Sequence, residues 1–284
     1  MTVARAPRFK IGTKITRDLT VLGAIRTRGR YPVYIVWHHA DWAPMACKVF
    51  GKLSRAKREA NIMAALSHPN IVRFLGVVEP ALLLMEFLEG PTLGSVIDDM
   101  PRERMSISNS IRVAIHLGAA LHHIHRKGFI HLDIKPTNVI VVRGRPVLYD
   151  FGSARKQGAP RPPHVAGTDA YIAPEECLRG DVTPASDVFG LGVTLYEMLT
   201  GDLPFPRKTP RNPFPQATAS PVRLRQRRKD IPAGLDELVM ACLAREPAER
   251  PAIPALLPLL HDFIRTGPPM WPAHFRPLPN RRPA

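Results

Sequence analysis

His131-Leu132-Asp133-Ile134-Lys135-Pro136-Thr137-Asn138, followed twelve residues after Asn138 by Asp150-Phe151-Gly152, is the stretch that organises the chain. It sets an aspartate, a lysine, an amide and a second aspartate close together in sequence. Between them lie Val139-Ile140-Val141-Val142 and Pro146-Val147-Leu148-Tyr149, two apolar runs parted by Arg143-Gly144-Arg145. Strand-like runs joined by a glycine-containing turn read as a hairpin. A hairpin returns the chain to the end it left, so Asp133, Lys135, Asn138 and Asp150 can face one small volume.

That set suits phosphoryl transfer. A carboxylate orients the attacking hydroxyl, a cation sits on the moving group, and amide and carboxylate oxygens hold magnesium. The segment resembles the catalytic and magnesium loops of the protein kinases, H-R-D-x-x-x-x-N followed by D-F-G. The resemblance implies an α+β, two-lobed fold, with a small antiparallel-sheet lobe carrying one helix and a larger, mostly helical lobe. It also implies ATP and Mg2+ as cofactors, Asp133 as catalytic base, and Asn138 and Asp150 as metal ligands. Lys135 with Pro136 is similar to the serine/threonine branch of the family.

Composition bounds the rest. At 284 residues with 45% hydrophobic content, the chain is long enough for a sizeable core. No run of 18 or more apolar residues appears and Met1 to Pro7 has no apolar signal region, so a soluble, cytoplasmic protein is expected. Cys47, Cys177 and Cys242 are too scattered for a disulfide framework or a metal knuckle, so reduced thiols are expected. The formal charge of +16 suits acidic protein partners, nucleic acid or an anionic membrane surface. Nucleic acid is not indicated beyond that charge, because no aromatic residues interleave the basic ones.

Residues 1–18 read as a basic arm, 19–265 as the kinase-like domain (small lobe and hinge 19–88, large lobe 89–265), and 266–284 as a proline-rich tail. Strands are expected over 19–25, 31–38 and 43–50. The family joins its first two strands by a glycine-rich loop over the ATP phosphates. Here Leu22 and Gly23 begin that stretch, but only Gly23 and Gly29 remain of its glycines, with wider spacing. Arg26, Arg28 and Arg30 read either as phosphate contacts in their place or as solvated hairpin charges. Ala46-Cys47-Lys48-Val49 stands where the family has V-A-I-K. A lysine in an apolar strand needs a paired charge, and Glu59 lies nine residues before His68-Pro69-Asn70-Ile71-Val72, the family interval for the helix glutamate.

Ala81 to Glu89 is a short apolar run stopped by Gly90-Pro91, a buried strand rather than a helix. By resemblance it is the hinge, with Met85 as gatekeeper and the backbone of Glu86 and Leu88 against adenine. Val33 and Ala46 would then form the roof and Ile140 the floor. Helices are expected over 92–99 and 107–127. In the second, His122 and His125 lack the cysteine or carboxylate that would complete a metal set. His131 is expected to pack on Phe151, with Met63 and Phe74 extending the column.

Gly167-Thr168-Asp169-Ala170-Tyr171-Ile172-Ala173-Pro174-Glu175 resembles the end of a serine/threonine activation segment, with Thr168 facing the acceptor hydroxyl. Leu132 replaces the family's arginine and the loop from Gly152 to Gly167 holds one hydroxyl, Ser153. A phosphate switch needs an acceptor and a cation, so phosphorylation there is not expected to gate the protein. Asp187, in an apolar helix stopped by Gly201, is expected to support the catalytic-loop backbone, and Arg250 to pair with Glu175. The basic, proline-rich segment 204–229 reads as a docking surface or a solvated insertion. A stand-alone serine/threonine kinase acting on protein substrates, acidic ones among them, is the expected function. Lys135-Pro136, Ala173-Pro174-Glu175 and Asp187 weigh against a small-molecule phosphotransferase of the aminoglycoside type. Lys48, Asp133, Asn138 and Asp150 weigh against a catalytically silent pseudokinase that serves as a binding module.

Overall fold

The computed structural model describes residues 6–27, 31–100, 104–160 and 170–265. The small lobe is a five-stranded antiparallel sheet in the order β1-β2-β3-β5-β4, made by β1 (Leu19–Arg26), β2 (Val33–His38), β3 (Ala43–Val49), β4 (Phe74–Val78) and β5 (Leu82–Glu86). Side chains alternate across a strand. Leu19, Val21, Tyr34, Val36, Met45, Cys47, Leu82 and Leu84 therefore collect in a core on one face. The other face takes α1 (Leu53–Ala64), which buries Ala56, Glu59, Ala60, Ile62 and Met63.

The expected basic arm is fastened to this lobe over its described part. Ala6 is buried, the Phe9 amide donates to the Tyr34 hydroxyl at 2.9 Å, and the Gly12 amide donates to Val21 O at 2.8 Å. β4 had no counterpart in the sequence reading, because Phe74 to Val78 shows no clean alternation. The hinge strand ends at Glu86, shorter than the run to Glu89, since Gly90 approaches another strand.

The large lobe is built on α3 (Ile107–Arg126). Ser106 caps it by accepting from the Asn109 amide at 3.2 Å, and His123, His125 and Arg126 sit in its last turn. The positive charge of Arg126 suits that end of a helix. Against α3 pack α5 (Pro184–Thr200) and α8 (Ile253–Asp262), while α7 (Ala233–Cys242) packs on α5. α5 starts with Thr183 as cap and Pro184 in its first turn, and stops at Gly201 in a left-handed conformation, φ 76°. The short helices α2 (Leu93–Asp98), α4 (Pro174–Cys177) and α6 (Leu224–Arg227) complete the lobe. The architecture is the expected two-lobed α+β fold. No helix among the described residues is long and apolar enough to cross a membrane.

Two short ladders position the site. β6 (Phe129–Ile130) pairs with β9 (Arg155–Lys156), and β7 (Val139–Val142) pairs with β8 (Arg145–Leu148). The β7–β8 turn is Arg143-Gly144 with φ of 49° and 83°, the two positive values that a tight hairpin matching strand twist requires. Asn70 sews this hairpin to the small lobe. Its side-chain amide donates to Pro146 O at 2.7 Å, the Leu148 amide donates to Asn70 O, and the Val72 amide donates to Leu148 O.

Among the basic residues in 204–229, Arg223, Arg227 and Arg228 contact the lobe. Arg223 pairs with buried Asp236 at 2.8 Å, and Arg227 lies 3.7 Å from Asp202. Arg228 holds Asp230 and donates to Met105 O and Leu199 O.

Behind the hinge, a Cβ on Gly90 would lie 2.2 Å from Val141 O. Gly90→Ala therefore has to push the hinge off β7. Urea unfolding is expected to show a loss of about 1–3 kcal/mol, and an unchanged midpoint would contradict this packing.

Candidate active site

Lys48 reaches from β3 into the gap between the lobes. Its Nζ lies 2.7 and 2.9 Å from the two carboxylate oxygens of Glu59 on α1, and 2.7 Å from Asp150 Oδ1 in the loop after β8. Lys48 and Glu59 are 3% and 4% exposed, so neither charge would persist there unpaired. Burial alone would lower the lysine's pKa, but the Glu59 and Asp150 carboxylates outweigh it and hold the pKa above the ordinary value. One ammonium thus serves two acids. Burial would raise Asp150, but Lys48, Arg26 and the Gly152 amide hold its carboxyl well below the usual range. Burial and the neighbouring Asp150 charge instead push Glu59 up, against Lys48. Gly152 lets these groups meet, since a Cβ there would lie 3.2 Å from Asp150 Oδ1 and 3.3 Å from Lys48 Nζ.

The catalytic-loop segment gathers a second set. Asp133 Oδ2 accepts from Lys135 Nζ at 2.8 Å and from Asn138 Nδ2 at 2.7 Å, and that same nitrogen donates to Asp133 O at 2.9 Å. The segment is strained at Leu132, whose φ of 63° is unfavourable for a γ-branched side chain. Asp187, fully within the core at the start of α5, holds that turn. It accepts from the Leu132 amide at 2.8 Å, from the His131 amide at 2.9 Å, and from His125 Nε2 at 2.8 Å. Burial would raise this carboxyl too, but the His125 bond and charge lead the interactions that lower it. His125, read in the sequence only as a failed metal ligand, is thus part of the frame. A histidine facing a buried aspartate 62 residues away leaves no local pattern by which to find it.

His131 lies edge-on to Phe151, with ring centroids 4.8 Å apart. Burial pushes its pKa down, so it is a neutral packing group. Tyr149 ties the two halves of the site, its hydroxyl donating to Thr137 O at 2.7 Å. Arg250 grips Glu175 through two bonds of 2.8 and 2.7 Å, and Ser186 donates to the same carboxylate at 2.7 Å.

A cleft of about 250 Å³ opens over Lys48, Glu59 and Asp150, while Asp133, Lys135 and Asn138 are not among its lining residues. Val33 and Ala46 lie on one side and Ile140 on the other, with Met85, Glu86 and Leu88 along the back and Lys48, Glu59 and Asp150 at the polar end. The Glu86 amide donates to Arg73 O and its carboxylate accepts from the Arg73 amide, clamping the hinge strand. Two expected lining residues are elsewhere. Leu22 is 47% exposed and Gly23 pairs with Ile35 within the sheet, while Ile25 and Arg26 line the cleft mouth. The reason is the length of β1: register shifts at Val21/Gly23 and Ala24/Arg26 carry the strand four residues past Leu22. Arg26 reaches across to the site, its Nη1 3.3 Å from Asp150 Oδ2, with the side chain still partly open to solvent. Gly29 and Thr168 lie outside the described residues.

A lobe-bridging lysine, a hairpin-framed aspartate pair and a hinge-walled cleft together make up the candidate site. Residues 29–264 match the family model described as protein kinase domain, and the chain belongs to that family. It is 35% identical over 246 residues to serine/threonine-protein kinase pkn2 of Myxococcus xanthus, covering 81% of this chain and 29% of that protein. It is 33% identical over 210 residues to serine/threonine-protein kinase PknB of Mycobacterium leprae, covering 69% and 33% respectively. For serine/threonine-protein kinase PksC of Streptomyces coelicolor the identity is 33% over 212 residues, covering 69% and 38%. The chain spans about a third of the length of these curated relatives.

Glu176 on α4, beside this frame, yields a pH prediction. Its Oε1 accepts from the Ala173 amide at 3.3 Å, yet burial, with Asp187 and Glu175 adding to it, pushes its pKa up to about 8. The folded state then keeps a proton that the unfolded state has lost, so this group's stabilisation is complete at low pH and disappears as pH rises through about 8. Glu176→Gln keeps the acceptor and abolishes the titration. Thermal melts are expected to match wild type at pH 5 and to exceed it by more than about 1 kcal/mol at pH 8.5. Equal stability at both pH values would contradict the assignment.

Proposed function

We propose that this chain is an ATP- and magnesium-dependent protein kinase that phosphorylates serine and threonine hydroxyls. The observation that carries the reading is the convergence of Lys48, Glu59 and Asp150 at the polar end of the cleft, with Tyr149 tying them to the segment that bears Asp133, Lys135 and Asn138. The donor set fits a magnesium nucleotide. Asp150 offers a carboxylate held ionised, and Asn138 keeps its side-chain oxygen free while its nitrogen is tied to Asp133. Magnesium, when bound, supplies charge neutralisation on the phosphates.

Lys48, aimed and kept charged by Glu59, attracts the phosphate chain. The apolar walls Val33, Ala46, Met85 and Ile140 hold a flat base, and the hinge backbone at Glu86 and Leu88 offers it hydrogen bonds. Asp133 takes the role of orienting the acceptor hydroxyl and receiving its proton. Lys135, 2.8 Å from the same carboxylate, is close enough to place its positive charge on the group in transfer. Positioning and fixed charge supply most of the catalysis in this chemistry, which gives Asp187, Glu175 and Arg250 the task of holding the frame still. Thr168 is assigned to the acceptor side, and Leu132 in place of an arginine favours a site that activation-loop phosphorylation does not gate. The excess positive charge favours acidic protein substrates. A cytoplasmic site of action agrees with the need for ATP and with three buried free cysteines.

Transfer of labelled γ-phosphate to the chain itself and to generic acidic and basic proteins tests this. Label on serine or threonine, lost in Asp133→Asn and in Asp150→Ala, is the expected result. No transfer to any protein, with ATP still bound, would contradict it and turn attention to a small-molecule acceptor or a silent binding module.

A further inference from the structure

Arg26 has no place in the scheme above, yet it lines the cleft mouth and reaches Asp150. β1 ends on it, opposite Val33 of the roof, so its backbone is held by the sheet while its side chain spans toward the other lobe. The glycines that would bring backbone amides to a phosphate chain are thinned here: Gly23 is built into the sheet, and Ala24, Ile25 and Arg26 follow it. Asp150 divides its oxygens between two cations, Oδ1 to Lys48 at 2.7 Å and Oδ2 to Arg26 at 3.3 Å. The second contact is long, single, and half open to solvent, with the Arg26 side chain 43% exposed. Such a contact holds the guanidinium near the site without committing it.

We infer that Arg26 is a nucleotide-phosphate ligand, parked on Asp150 until a polyphosphate enters the cleft. The inference rests on the kinase reading and deepens it. A cation arriving with the nucleotide would compete with Arg26 for the Asp150 carboxylate. The displaced guanidinium can then turn to the incoming phosphate oxygens, whose geometry its planar fork of donors matches. A side-chain cation at the end of β1 thus replaces the backbone amides that a glycine-rich turn would offer. The device also lends the site some affinity for ATP without magnesium, since Arg26 brings its charge with the chain.

Titration calorimetry with ATP and with adenosine, each in magnesium and in EDTA, tests the assignment on wild type, Arg26→Ala and Arg26→Lys. Arg26→Ala is expected to weaken ATP by about tenfold or more in both media, to leave adenosine unchanged, and to be partly rescued by Arg26→Lys. Unchanged or tighter ATP binding by Arg26→Ala, with wild type still preferring ATP to adenosine, overturns the phosphate role and leaves Arg26 as a latch on Asp150 alone. Equal weakening of adenosine overturns it in favour of a general distortion of the cleft. A wild type that binds ATP no better than adenosine overturns the kinase reading itself, and this inference with it.

Discussion

A single ammonium group, Lys48 Nζ, is held between a carboxylate on a small-lobe helix and a carboxylate in a large-lobe loop. Much of the structure can be understood as the support this arrangement needs. Buried charges are tolerated only when paired at good geometry, and removing one partner strands the others. The three therefore constrain one another: α1 must pack where Glu59 reaches Lys48, and β8 must end where Asp150 does. Asn70, bonded twice to β8, and Gly152, which admits the close approach, support that geometry.

The second level of support lies deeper. Asp187 spends its hydrogen-bonding capacity on the backbone of a strained turn and on His125, so that Asp133 is presented from a segment with little freedom. Glu175 and Arg250 fasten α4 to the start of α5 and to the loop before α8. None of these groups lines the cleft. They determine where the lining groups stand, which is why a site of this kind needs a whole lobe of helices beneath a few polar side chains.

The fold was legible in the sequence wherever a residue type was tied to its neighbours by short spacing. The β7–β8 hairpin, the stop of α5 at Gly201 and the apolar strand bearing Lys48 all belong to that class. The contact between Lys48 and Glu59 was legible for a different reason, the interval to His68-Pro69-Asn70-Ile71-Val72. What stayed hidden was settled by tertiary geometry. β4 lacks alternation because a bulge at Leu75, between Phe74 and Gly76, interrupts its pairing. The β6–β9 pairing joins two-residue strands far apart in sequence. Arg26 was legible as a charge beside a thinned glycine loop, but not as a partner of Asp150, because that depends on register shifts in β1 that no local pattern announces. Leu22 and Gly23 do not line the cleft, since both belong to the bulged stretch of β1.

The central claim is that the bridging lysine makes the cleft a site for a phosphate chain as well as for a flat base. Comparing ATP with adenosine binding in wild type and Lys48→Met measures it directly. Wild type should bind ATP more tightly than adenosine, and Lys48→Met should narrow that preference sharply while leaving adenosine nearly unaffected. An unchanged preference for ATP in Lys48→Met would contradict the account.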